Sequence, residues 1–151
     1  MSREESTTIS IVTVPSRPTA VIPAATTWGE FPRLWKALLD QVHAGMRWEG
    51  SGRKGRNVML YLDDLPHVEV GVEIDQQATF DPPIIGSMLP AGRVVTTVHR
   101  GTYDLLGESH DRLASWAREQ GLELAGPRWE IYGHWHEDPR QLETEVTYLL
   151  V

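Results

Sequence analysis

The chain has 151 residues, 40% of them hydrophobic, and a formal net charge of -7, the size and apolar content of one domain with a full core. With no basic run longer than RKGR at 53–56, it lacks the positive footprint that neutralising a phosphate backbone requires, so nucleic acid is not expected as a direct partner. Cysteine is absent, which excludes disulfides, thiolate metal sites and a cysteine nucleophile. The N-terminal stretch has no apolar signal core and nowhere do about eighteen apolar residues run together, so the expected location is the cytoplasm and no membrane contact is expected.

In chain order, β-branched runs at 9–14 (ISIVTV) and 19–24 (TAVIPA) flank PSRP, which predicts two strands joined as a hairpin. Trp28, Phe31, Leu34, Trp35, Leu38, Val42 and Met46 recur at intervals of three and four, the pattern of an amphipathic helix over 29–46. Thr27 with Glu30 reads as a capping box, while Pro32 argues for a later start. After a glycine-rich basic loop at 47–57, strands are predicted at 58–62 (VMLYL) and 67–74 (HVEVGVEI). In the second, Val68, Val70, Val72 and Ile74 share one face, and His67, Glu69 and Glu73 share a wet one.

Residues 75–90 read as irregular, and 91–100 (AGRVVTTVHR) as a strand. Thr102 offers an N-cap, Leu105, Leu106, Leu113, Trp116 and Ala117 form an apolar stripe, and Gly121 marks a stop, predicting a helix over 103–120. Strands at 128–132 and 142–151 close the chain, joined by GHWHEDPRQ. Each half thus reads β-α-β-β, with pseudo-repeats of about 7–75 and 90–151. The fold class is α+β, an antiparallel sheet with two helices and a ligand groove between them.

Several local signals carry little. GSGRKG at 50–55 matches a dinucleotide fingerprint, but the helix precedes it and the strand follows, the reverse of what that fingerprint needs. Ser109, His110 and Asp111 are triad residue types, yet adjacent helical positions point about 100° apart and cannot bond in series, so they read as surface residues. His134 and His136, with Glu137 and Asp138, lack a third ligand at diagnostic spacing and read as a solvated loop, so no metal is expected. Arg47, Arg53, Lys54 and Arg56 read as a solvated basic loop.

Strand 128–132 (RWEIY) holds an acid between apolar residues. Alternation puts Trp129 and Ile131 on one face and Arg128, Glu130 and Tyr132 on the other. By hydrophobicity alone the first face is the core and Glu130 meets solvent.

The segment from LPAG at 89–92 to GHW at 133–135, followed by LETEVTYLLV at 142–151, resembles the C-terminal half of the GyrI-like small-molecule-binding family. That family includes effector-binding domains of BmrR- and Rob-type regulators and free-standing single-domain members. The motifs are LPAG before a strand, Gly101 and Tyr103 before the helix, Trp116, Gly121 and Leu122 near its end, WEIY, and the closing L-x-T-E-V; VEVGVEI also looks like a family strand. Thr102 stands where the family commonly has proline, and no DNA-binding segment precedes the domain, which argues against a one-chain transcription factor and leaves a regulator protein as partner only as a third reading.

The resemblance implies two pseudo-symmetric β-α-β-β units around a groove into which Glu130 projects, against the alternation reading. The leading expectation is binding of hydrophobic, often cationic, small molecules by Glu130, with Tyr132, Tyr148, Trp35, Trp116 and Tyr61 as candidate walls of the groove and no cofactor. For each aromatic a plain core role stays open. The alternative is a hydrolase that opens cyclopropanoid small molecules with Glu130 as general base or acid.

Overall fold

The computed structural model describes residues 8–48, 55–74 and 78–151. Its elements are β1 (Ser10–Val14), β2 (Arg17–Ala25), α1 (Phe31–Gly45), β3 (Met46–Trp48), β4 (Asn57–Tyr61), β5 (His67–Glu73), β6 (Ala78–Phe80), β7 (Ile85–Leu89), β8 (Gly92–Arg100), α2 (Leu106–Glu119), β9 (Leu124–Tyr132) and β10 (Glu143–Leu150). A 3-10 turn at Tyr103–Leu105 leads into α2. The capping expectation at α1 holds in part: the Thr27 hydroxyl accepts the Glu30 N–H at 3.1 Å, and helix begins at Phe31 with Pro32 in its first turn, where a missing N–H costs nothing. Gly121, at φ +73°, takes the left-handed conformation by which the chain leaves α2.

The main sheet has eight strands in the order β1-β8-β10-β9-β4-β5-β2-β7, with all pairings antiparallel. The order mirrors itself about the β9–β4 pair, with β8-β10-β9 on one side and β4-β5-β2 on the other, so β2-α1-β4-β5 and β8-α2-β9-β10 meet at that seam. The sheet must also roll up. Laid flat, β7 and β8 would lie about 29 Å apart at ~4.8 Å per strand spacing, yet only Pro90 and Ala91 join them, and that step reaches ~11 Å at most.

Rolling encloses a core on the inner face, built from Val21, Val58, Leu60, Leu89, Val94, Trp129 and Ile131. The outer face carries the helices. Helix α1 packs on β2 and β5, and α2 packs on β8 and β10, each over its own apolar cluster. Glycine is required at Gly71, where a Cβ would sit 1.9 Å from the Ala20 carbonyl oxygen on β2.

Two expectations need correction. The hairpin at PSRP does not form: β1 pairs with β8, and β2 lies between β5 and β7. Thr19, Ala20, Val21 and Ile22 are all buried, so β2 needs a strand on both sides and cover on both faces, which a hairpin with the exposed β1 does not supply. Residues 75–90 are not irregular throughout, since they contain β6 and β7. Strand β6 pairs with β3 in a separate two-stranded sheet whose Phe80, Trp48 and Ala78 pack against the α1 cluster. Strand β7 (IGSML) has too few β-branched residues to announce itself.

The wet face expected for β5 holds charges paired with one another. Arg56 donates to Glu73 at 2.8 Å and to Glu145 at 2.7 Å, and Arg17 donates to Glu73 at 3.1 Å. Arg56 is therefore a half-buried ion-pair residue, and Arg47 pairs with Asp81. Arg53 and Lys54, and GSGRKG apart from Gly55, lie outside the described residues.

Candidate functional site

Because α1 packs mainly on β2 and β5 and α2 mainly on β8 and β10, β4 and β9 at the seam lie below the gap between the helices. A cavity of about 780 Å³ opens there between α1 and α2. Its floor is Met59 and Tyr61 from β4, Arg128, Glu130 and Tyr132 from β9, and Tyr148 from β10. Trp35 and Phe31 wall it from α1, His110 and Leu106 from α2, and Trp28, Tyr103 and Trp135 from the segments at its mouth.

Glu130 is 4% exposed, and its neighbours Trp129 and Ile131 are each 3% exposed. Alternation assigns the faces correctly, but the solvent expected under Glu130 is replaced by the cavity. A carboxylate so placed needs partners, and it has three. Oε1 accepts the Tyr132 hydroxyl at 2.6 Å and the Tyr61 hydroxyl at 3.0 Å, while Oε2 lies 2.6 Å from His110 Nε2. An ionised carboxylate only accepts, so Nε2 carries the hydrogen. In neutral His110, Nδ1 is then the acceptor for the Tyr148 hydroxyl, 2.8 Å away. Tyr148, His110, Glu130, Tyr61 and Tyr132 thus form one continuous polar network.

The rings are packed against each other as well as against the cavity. Tyr61 meets Trp28 at 5.4 Å and Phe31 edge-on at 5.5 Å, and Tyr103 meets Tyr132 edge-on at 5.5 Å. Burial, with Arg128 opposing and Glu130 adding to it, pushes the Tyr148 hydroxyl up to about 12. Burial and then the Glu130 charge hold Tyr61 and Tyr132 further above the ordinary tyrosine range.

These shifts predict an alkaline instability. Unfolded tyrosines ionise near pH 10, whereas the folded state keeps these protons to higher pH. Their contribution is therefore constant below about pH 10 and is lost as pH rises through the folded value of about 12 for Tyr148. Denaturant unfolding followed from neutral to alkaline pH is expected to show this fall, and Tyr148→Phe to make it shallower. A flat profile through that window would contradict the burial assigned to these hydroxyls.

Of the residues singled out from sequence, Glu130, Tyr132, Tyr148, Trp35 and Tyr61 all line the cavity. Trp116 does not. It lies about 240° round the helix from His110 and packs beside the cluster of Val95, Leu113, Ala117 and Val146. The reading of Ser109 and His110 as surface residues is corrected too. Ser109 is 2% exposed and bonds His99 Nδ1 at 2.8 Å, while the His110 side chain is 18% exposed and faces the cavity. The angular argument against a triad stands, since the two side chains point to different partners. A signal was available: Leu106, His110, Leu113 and Ala117 recur at four, three and four, so His110 occupies the helix's buried stripe. His134 and His136 are exposed on the loop after β9, and no cluster of three metal-ligating side chains occurs among the described residues. Nor is any helix there long and apolar enough to cross a membrane.

Among solved structures, the C-terminal domain of EcmrR aligns with a TM-score of 0.71 at 19% identity, covering 95% of this chain and 97% of that one. SAV2435, solved bound to tetraphenylphosphonium, aligns with a TM-score of 0.71 at 10% identity over 95% of this chain and 94% of its own. A hydrolase encoded by lin2189 from Listeria innocua aligns with a TM-score of 0.64 at 11% identity over 95% and 91%. At such identities these likenesses establish the fold. No curated protein matches the chain. The model of the GyrI-like small molecule binding domain matches residues 63–150, from the turn before β5 through to the end of β10. By that match the chain belongs to the GyrI-like small-molecule-binding domain family.

Proposed function

We propose that the protein binds hydrophobic, often cationic, small molecules in the cavity between α1 and α2, as a multidrug-type sensor or sequestering protein. The observation that carries this reading is a 4% exposed carboxylate on the floor of an aromatic-walled cavity of about 780 Å³, within the size range of small-molecule sites. Three donors offset the desolvation of Glu130 and hold it still, so its charge is in place before a ligand arrives. A delocalised cation gains from that charge, and the faces of Trp35, Trp28 and the tyrosines add stacking and cation-π attraction. Flat apolar walls discriminate weakly by shape, which suits broad specificity. The tetraphenylphosphonium held by SAV2435 is of this ligand class.

Fluorescence polarisation of rhodamine 123 tests the reading. Saturable binding in the micromolar range is expected, roughly -8 kcal/mol, with displacement by tetraphenylphosphonium. Absence of saturation, or of competition, would overturn it.

The hydrolytic reading, Glu130 activating water against a cyclopropanoid, draws on the Listeria hydrolase of the same fold and on the short Glu130–His110 contact. Three of the carboxylate's roughly four lone-pair sites are taken, which leaves one on Oε2 that a water could occupy. Product formation that disappears in Glu130→Gln would favour it. A regulator protein as partner follows the layout of EcmrR, where the matching unit is the C-terminal domain; co-elution in gel filtration is its test.

A further inference from the structure

The cavity contains a fixed positive charge as well as a negative one. Arg128 lies two residues before Glu130 on the same face of β9, so the two side chains rise from the floor about 7 Å apart along the strand. Tyr61 on β4 and Tyr148 on β10 are the Cα partners of Arg128 across the sheet. The Arg128 side chain is 14% exposed, lines the cavity and holds its Cζ 5.4 Å over the Trp28 ring.

The two charges differ in how fully they are engaged. Glu130 receives three hydrogen bonds. Among the described residues, Arg128 donates only to the Gly126 carbonyl at 3.1 Å and to Asp64 Oδ1 at 2.7 Å, which uses two of the five N–H groups a guanidinium carries. The Asp64 side chain is 88% exposed, and an ion pair held in water contributes little, so an acid entering the cavity can compete for Arg128. The planar guanidinium suits a carboxylate, which it can grip with two parallel hydrogen bonds. A ligand that is only a cation meets Arg128 as a repulsive neighbour.

We infer that Arg128 forms an acid-accepting subsite and that the preferred ligand class is amphoteric, an aromatic body with a carboxylate at Arg128 and a cationic end toward Glu130. This rests on the binding function proposed for the cavity. The rival role for Arg128 is a latch, since Asp64, which it holds, also accepts the Trp28 indole N–H through its carbonyl at 3.0 Å.

Two dyes separate these roles, because rhodamine 110 carries a free carboxylate where rhodamine 123 carries its methyl ester on the same cationic ring system. Polarisation titrations of the wild-type chain are expected to favour rhodamine 110 by about tenfold, the scale of one charge-assisted contact. Arg128→Met should bring that ratio near one. Asp64→Asn, a change at the exposed rim, should enlarge the ratio by removing the negative charge that competes for Arg128. Equal affinities in the wild type, or a ratio that Arg128→Met leaves unchanged, would overturn the subsite. If Arg128→Met does not fold, the wild-type ratio and its response to Asp64→Asn decide alone. If rhodamine 123 binds and rhodamine 110 does not, the cavity takes cations and the amphoteric class fails by itself. If neither dye binds, the binding function falls and the subsite with it.

Discussion

Glu130→Gln is expected to weaken binding of rhodamine 123 by about thirtyfold, or about 2 kcal/mol, the scale of one desolvated charge-assisted interaction. The substitution keeps the shape of the side chain and removes only its charge. The amide oxygen can still accept from Tyr132 and Tyr61, which bond Oε1. The amide nitrogen would face His110 Nε2, where the carboxylate now lies at 2.6 Å. His110 can answer by exchanging tautomers, accepting at Nε2 and donating from Nδ1 to the Tyr148 oxygen. The network therefore survives with its direction partly reversed, and the stability change should stay within about 1 kcal/mol. Polarisation titration together with urea unfolding of the same variant gives both numbers. A folded Gln variant that binds the dye as tightly as wild type removes the role proposed for Glu130.

One residue earlier, the opposite outcome is expected. Trp129→Ala should cost about 4 kcal/mol of stability, a large fraction of the 5–15 kcal/mol typical of a domain. Trp129 is 3% exposed and points to the inner face of the rolled sheet, where it packs with Val21, Val58, Leu60, Leu89, Val94 and Ile131. Those side chains come from five strands that the roll brings together, and the antiparallel ladders limit how far they can close on the space left behind. Urea denaturation checks it through the midpoint at unchanged slope. A loss under about 1 kcal/mol would mean that the inner face is not a close-packed core. Adjacent positions on β9 thus serve separate ends, Trp129 the fold and Glu130 the cavity, because successive strand residues face opposite sides.

How much of this was legible varied with the range of the interaction. The helix α1 and the main part of α2 followed from apolar spacing, and the stop at Gly121 from its permissive backbone, since these depend on residues within a turn or two of one another. Strands with β-branched runs, such as HVEVGVEI, announced themselves, whereas IGSML did not, because β7 is a strand by virtue of pairing with β2 and not by composition. His110 already stood in the buried stripe of α2 by its spacing, whereas Trp116 departs from expectation for a different reason. A helical stripe shows which residues leave the solvent, but whether they meet a sheet or the edge of a cavity depends on what lies opposite. His110 meets β9 and β10 at that edge, and Trp116, farther along, packs against the apolar cluster over β8 and β10.

The amino-acid sequence alone determined the α+β class, the doubling of the β-α-β-β pattern and the two faces of strand β9, since periodicity is a local property of the chain. Only the tertiary structure decided that both faces of β9 are enclosed, one by the rolled sheet and one by a cavity between helices. The same packing sends β1 and β2 to opposite halves of the sheet and seats Arg128 beside Glu130 in the cavity. Burial depends on what other segments bring into contact. Side chains from Tyr61 to Tyr148 converge on Glu130 only after β4, β9, β10 and α2 have assembled, and no spacing along the chain encodes that convergence.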